Sequence, residues 1–211
     1  MTGHPAHWDR VYGEKQDVDT SWHQPVPVES LTMLDRLGVG PRDAVIDVGG
    51  GTSTLVDQLL ARGHRDVTVL DVAPTALERT RGRLGERAAE VDWVVADVTA
   101  WRPTRRYDVW HDRAVLHFLT TQPRRAGYLR ALRAALPEGG AVVVATFAED
   151  GPDQCSGLPV VRYSGPALAA LLGPDFAPVC VERVEHLTPW GAPQPFTWLA
   201  ARRAGDPRRT T

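Results

Sequence analysis

Cysteine is scarce. The 211 residues include two, Cys155 and Cys180, too few for a disulfide framework. No run of 18 apolar residues occurs, so no membrane-spanning helix is expected. Residues Met1 to Asp9 have neither a basic start nor an apolar stretch, and do not read as a signal peptide. These absences predict a reduced, cytoplasmic protein. Charge of one sign is also lacking: 24 basic and 26 acidic residues leave a net charge of −2. That argues against a general binder of nucleic acid or of anionic membranes, and no basic stripe with interleaved aromatics marks a nucleic-acid path. Lysine is almost missing; Lys15 stands beside 23 arginines, which reads as coding bias before physics. Internal repeats and long linkers are absent as well.

What is present suits a globular chain. Hydrophobic residues make up 43% and charged residues 24%, enough apolar surface to exclude disorder for the bulk of the chain. The length favours one domain. We expect it to span residues 1–203, with a helical cap over 1–40, a core over 41–150 and a loop, helix and hairpin over 151–203. Residues 204–211 read as a disordered tail. The charge is uneven: residues 1–60 carry nine acids and four bases, residues 101–150 eight bases and five acids.

The middle alternates short β-branched runs with helical patterns. Strands are predicted at Ala44–Val48, Val67–Asp71, Val91–Ala96, Tyr107–His111 and Ala141–Phe147. Between them, Thr52 and Ser53 can cap one helix, Pro74 suits the first turn of a second, and Pro123 opens a third. Such alternation predicts a doubly wound α/β fold with a mostly parallel sheet. Phe176–Glu185 and Gln194–Ala201 are joined too closely to be parallel, so a C-terminal antiparallel hairpin should add a reversed strand at one edge.

Val45-Ile-Asp47-Val-Gly49-Gly50-Gly51-Thr-Ser53 falls at a strand-to-helix turn. Glycine there permits positive φ and close approach of a ligand, and such folds bind ligands beyond the carboxyl ends of the strands. A tight turn without a ligand is the plainer alternative. The pattern departs from a dinucleotide fingerprint, because Thr54 stands where the third glycine belongs and Asp47 would repel a pyrophosphate. Asp47 suits an ammonium group instead. Asp71, 22 residues past Gly49, can accept both hydroxyls of a ribose, or can cap the helix opened by Pro74. Asp97 can accept from an adenine amine. Three acids at three successive strand ends suit a cationic nucleoside.

Asp47-Val-Gly-Gly-Gly51, Asp71 and Ala96-Asp97-Val98 resemble the cofactor motifs of class I S-adenosylmethionine-dependent methyltransferases. Tyr107-Asp-Val-Trp-His-Asp112 resembles their fourth strand, and Leu136-Pro-Glu-Gly-Gly140 the turn before their fifth. The likeness covers about residues 40–150, and the terminal hairpin fits the family's antiparallel seventh strand. It implies a seven-stranded Rossmann-like methyltransferase fold with S-adenosyl-L-methionine as cofactor. Asp47 and Gly49, Gly50 and Gly51 would hold its methionine part, Asp71 and Val72 its ribose, and Asp97 and Val98 its adenine. Ser53 replaces a further glycine common in the family; it is small enough to be counted with the cofactor residues.

Four segments are candidates for the acceptor side. After the fourth strand, His111 is read as a cofactor contact or base, Asp112 as its orienting partner, Arg113 as a pocket residue, and His117 as a catalytic candidate or a packed histidine. In the N-terminal segment, Trp8 and Tyr12 can share one helical face and are counted with the substrate residues, and Trp22 can stack on the cofactor; plain packing of the segment on the core is the alternative. The Gly- and Pro-rich stretch after the fifth strand offers Cys155, Arg162 and Tyr163 as substrate contacts in an irregular lid. The resemblance implies that His186-Leu-Thr-Pro-Trp190, in the hairpin turn, can reach the pocket rim. His111, His117, His186 and Cys155 lack ligand spacing on one element, so no metal is expected. A small-molecule acceptor is favoured, with a protein lysine second. The rivals are a nicotinamide oxidoreductase and a module that binds a nucleoside without catalysis. The oligomeric state is open.

Overall fold

The computed structural model describes residues 5–14 and 16–205. Residues 206–211 of the predicted tail, and residues 1–4 of the predicted cap, lie outside the described residues. The chain opens with α1 (Pro5–Glu14) and α2 (Val28–Arg36). Alternating units come next: β1 (Val45–Val48), α3 (Leu55–Ala61), β2 (Val67–Asp71), α4 (Pro74–Leu84), β3 (Val91–Val95), β4 (Val109–Arg113), α5 (Gln122–Ala135) and β5 (Ala141–Phe147). A short pair, β6 (Gln154–Cys155) and β7 (Leu158–Pro159), precedes α6 (Gly165–Leu172) and the long hairpin β8 (Phe176–Leu187) and β9 (Pro193–Arg203).

The main sheet has seven strands in the order β3-β2-β1-β4-β5-β9-β8. β1 to β5 are parallel and β9 runs antiparallel to β5 and to β8. β1, β2 and β5 are buried along their whole length, as strands covered on both faces must be, and Val and Ile fill them. The helices stop where the sequence has stop signals: Gly85 ends α4 at φ +59, and Gly63 follows α3 at φ +86. The Ser164 Oγ accepts from the Ala167 N–H and caps α6.

One face of the sheet packs on Leu31, Met33 and Leu34 of α2, Leu55 and Leu59 of α3 and Leu77 of α4. The other packs on Tyr128 and Leu132 of α5 and Leu168 of α6. Each such buried aliphatic side chain contributes about 1.5–3 kcal/mol.

Two details differ from the sequence reading. The reversed strand is not at the edge: β9 lies between β5 and β8, buried from Pro195 to Ala201, and β8 takes the edge. β8 protects that edge with Glu182, Arg183 and Glu185 and a register break between Pro178 and Cys180. The stretch after β5 is also more regular than expected, because Ser156 at φ +50 and Gly157 at φ +75 make the turn of the β6–β7 pair.

Candidate active site

The turn after β1 admits only glycine. Gly49 and Gly51 have φ of +70° and +43°. A Cβ on Gly49 would lie 2.0 Å from Val115 Cγ2. One on Gly50 would lie 2.7 Å from both Asp47 Oδ2 and Val69 Cγ1, and one on Gly51 2.8 Å from the Tyr12 hydroxyl. The turn is thus pressed between the β4 loop and α1. Behind it, Asp47 is 3% exposed. The β1–β4 register sets Asp47 beside His111, whose Nδ1 donates to Asp47 Oδ1 at 2.8 Å. The other carboxylate oxygen, Oδ2, is buried without a partner among the described residues.

In front of the turn lies a cleft open to solvent. One half is built on the ends of β2 and β3 and contains Asp71, Val72, Asp97 and Val98 together with Gly49. Asp71 Oδ1 accepts from the Ala73 N–H at 2.8 Å, so the helix-entry role and the place in the cleft belong to the same side chain. Burial pushes the Asp71 carboxyl up to about 7, opposed by the N–H groups of Ala73 and Val72 and reinforced by Asp47. Burial acts on Asp97 in the same sense, but Thr99 and Arg124 outweigh it and hold that carboxyl below the usual range. Asp97 Oδ1 accepts from both the N–H and hydroxyl of Thr99, and Oδ2 from Arg124 at 3.2 Å.

The other half is built on the ends of β4, β5 and β9. His111, Asp112 and Arg113 are consecutive but alternate across the sheet. His111 is 2% exposed and does not line the cleft: Nδ1 is held by Asp47, and Nε2 meets the Ser30 hydroxyl at 2.9 Å. It is a positioning residue for Asp47, and this geometry takes away its expected part as a base. Asp112 faces the opposite side. It accepts from the Tyr128 hydroxyl at 2.7 Å and from the Val115 and Leu116 N–H groups, and does not orient His111. Burial raises the Asp112 carboxyl to about 6 against those hydrogen bonds. Asp112 thereby fixes the loop that presses Val115 onto Gly49, with Ala114 held at φ +76.

Arg113 lines the cleft. Its Nη1 donates to the Trp22 carbonyl at 2.8 Å, and its guanidinium stands 5.5 Å from the Phe196 ring centre. Burial lowers it to about 10, opposed by Glu29 and Asp47. His117 also lines the cleft. Burial, then Arg113, pushes it down to about 3, so the imidazole is neutral. The Phe147 N–H donates to its Nδ1 at 3.4 Å, which leaves the ring proton on Nε2. An Nε2–H is a donor, so His117 is not placed as the expected base.

Trp8, Tyr12 and Trp22 close over the cleft as an aromatic cluster, with Trp8 5.0 Å from the Phe118 ring centre. Burial raises the Tyr12 phenol, which stays neutral. Cys155 also lines the cleft, and no disulfide joins it to Cys180. Three expected residues stand elsewhere. Arg162 donates to the Gly151 carbonyl, Tyr163 packs into the α5–α6 core, and the Ser53 Oγ accepts from the Leu55 N–H at the start of α3. His186 donates to the Ser21 carbonyl and ties the hairpin to the N-terminal segment, while Trp190 is exposed. Arg124, Phe147, Gln194 and Phe196 line the cleft too, and the sequence reading does not include them. Phe147 has a signal, since it ends a parallel strand; Gln194 and Phe196 arrive only through the pairing of β9 with β5. Among the described residues no cluster of His, Cys, Asp and Glu is fit to hold a metal, and no helix is long and apolar enough to cross a membrane.

A parallel sheet closed by an antiparallel hairpin, with a glycine turn after β1 and acids ending β2 and β3, defines a Rossmann-like methyltransferase fold. Residues 45–140 match the methyltransferase domain family, and together with the relatives this match supports a class I S-adenosylmethionine-dependent methyltransferase. Malonyl-[acyl-carrier protein] O-methyltransferase 1 of Ilyobacter polytropus is 27% identical over 104 residues, 49% of this chain and 37% of that one. Other curated relatives are likewise covered for less than half their length. Among solved structures, the Burkholderia thailandensis 1,6-didemethyltoxoflavin-N1-methyltransferase, with bound 1,6-didemethyltoxoflavin and S-adenosylhomocysteine, is 25% identical. The match covers 94% of this chain and 84% of that one, with a TM-score of 0.67. The N-methyltransferase NodS of Bradyrhizobium japonicum WM9, with S-adenosylhomocysteine, is 18% identical, covers 96% and 100%, and has a TM-score of 0.73.

Proposed function

We propose that this protein methylates a small-molecule acceptor with S-adenosylmethionine. The observation that carries the reading is a buried Asp47 oxygen, without a partner among the described residues, behind three glycines that leave no room for a Cβ, with Asp71 and Asp97 ending the next two strands. A cationic amino-acid group fits that charge and that cradle; a pyrophosphate fits neither. Asp47 and Gly49 to Gly51 would hold the methionine part, Asp71 and Val72 the ribose, and Asp97 and Val98 the adenine. The bound cofactor supplies an electrophilic methyl group on a sulfonium. The chain orients the partners and excludes water, for which Trp8, Trp22, Phe118 and Phe147 form the walls. Among the described residues none is placed as a base at the acceptor end, so the acceptor atom enters already nucleophilic. A cleft walled by aromatic rings suits a small acceptor better than a lysine on a folded protein, and the Burkholderia structure carries bound 1,6-didemethyltoxoflavin. We read residues 1–203 as one such domain, since α1 and β9 line the same cleft, and two cysteines without a disulfide suit a reduced cytoplasm.

Calorimetry with S-adenosylmethionine, S-adenosylhomocysteine and NAD tests the cofactor, and transfer of labelled methyl into a cell extract tests the reaction. The expected result is binding of the two sulfur compounds but not NAD, with label in the low-molecular-mass fraction. Binding of NAD alone refutes the reading, and label confined to protein refutes the small acceptor.

A further inference from the structure

The half of the cleft away from Asp71 and Asp97 has one charged group among the described residues that line it, Arg113. Its Nη1 is occupied by the Trp22 carbonyl. Its Nε and Nη2 are buried and have no partner among the described residues. These two nitrogens are the side edge of the guanidinium, where two N–H bonds run parallel at the spacing of two carboxylate oxygens. Glu29, Asp47 and Cys155 act on Arg113 through space, and Asp47 is already held by His111. Buried guanidinium N–H groups are costly when left without hydrogen bonds, and a carboxylate matches this fork best. Beside it, His117 Nε2 is a second buried donor without a partner among the described residues. The surroundings are apolar rings: Phe147 is 4.8 Å from the His117 ring centre and 4.9 Å from that of Phe196.

We propose that Arg113 binds the methyl acceptor, and that the acceptor carries a carboxylate on a flat apolar body. The Nε–Nη2 edge takes the two carboxylate oxygens, the His117 Nε2–H stands ready for a further acceptor oxygen, and the rings of Phe147 and Phe196 flank the body. This rests on the methyltransferase reading above. The amino-acid carboxylate of the cofactor has the same chemistry, but Arg113 pairs with Ala145 of β5 and its guanidinium stands over Phe196 of β9. That favours the acceptor as its source.

The test is calorimetry on the full chain loaded with S-adenosylhomocysteine, titrated with benzoate, phenylacetate and indole-3-acetate and with their primary amides. At least one carboxylate is expected to bind, and its amide at least about tenfold more weakly. Arg113→Gln should erase that preference and Arg113→Lys restore part of it, since lysine keeps the charge and loses the fork. Affinity for S-adenosylhomocysteine should stay within about threefold in both variants. Equal binding of acids and amides by the unaltered protein, or no binding of any carboxylate, overturns the proposal without recourse to a variant. A loss of S-adenosylhomocysteine affinity in Arg113→Gln assigns the guanidinium to the cofactor and overturns it too. If the unaltered protein does not bind S-adenosylhomocysteine at all, the methyltransferase reading fails first.

Discussion

Neighbours in sequence part company on a strand, and His111 and Asp112 end up with unrelated tasks. His111 spends both ring nitrogens on Asp47 and Ser30. His111→Ala should therefore cost about 1–3 kcal/mol of stability, because it strands a carboxylate and a hydroxyl in the interior. It should also weaken S-adenosylhomocysteine binding, while turnover at saturating cofactor persists. Denaturant titration and calorimetry read both effects; a large fall in turnover with unchanged affinity would restore a base. Asp112 makes a pH prediction. The folded chain keeps its proton to about pH 6, whereas an ordinary aspartate releases it near 3.8. The folded state therefore binds the extra proton between those values. Stability from this site is complete below about pH 4 and declines as pH rises through about 6. Asp112→Asn is neutral throughout, so relative to the unaltered chain it should gain about 1–3 kcal/mol between about pH 4 and pH 7. His117, whose contribution declines in the opposite direction, as pH falls from 6.5 toward about 3, cancels in that difference. Denaturation at the two pH values measures it, and a flat difference contradicts it.

The glycine turn is an element whose tolerance can be stated in distances. At Gly49 an alanine meets both a left-handed φ of +70 and Val115 Cγ2 at 2.0 Å. Gly49→Ala should lower stability by about 1–3 kcal/mol and abolish S-adenosylhomocysteine binding. Gly63→Ala makes the control: its φ is also positive, but nothing lies within 4 Å of the added Cβ. It should lose stability and keep affinity, and a thermal scan with and without S-adenosylhomocysteine separates the two. This element was legible because its causes are local: a β-branched run, an acid and three glycines in one stretch. The partner that makes Gly49 indispensable, Val115, was not, because only the β1–β4 pairing brings it there.

Across the whole molecule the same division holds. The five parallel strands could be read from alternating patterns, each complete within a short window. The cofactor half of the cleft could be read with them, since Asp71 and Asp97 end such strands. The acceptor half joins Arg113 and His117, which share one window, to Phe147 and Phe196, which only strands paired over long separations bring there. The side-chain direction of three consecutive residues also depended on where β4 ends. Had the strand stopped at His111, as its pattern suggested, a shared orientation of His111, Asp112 and Arg113 would have been reasonable; it continues to Arg113, and alternation separates them.

The interior place of β9 bears on how the chain is made. A ribosome delivers β5 long before its neighbour. From the synthesis of Phe147 until residues 193–203 emerge, β5 presents a hydrophobic strand edge with nothing to pair it. β8 emerges during that interval and cannot serve, because its partner in the sheet is β9 and not β5. Nascent chains stalled at Leu187 should therefore be protease-sensitive and bound by chaperones, and chains stalled beyond Arg203 protected. Resistance at Leu187 would mean that another segment covers β5 meanwhile. The hairpin thus acts as a late clasp, because β5 gains its second neighbour only once β9 is made.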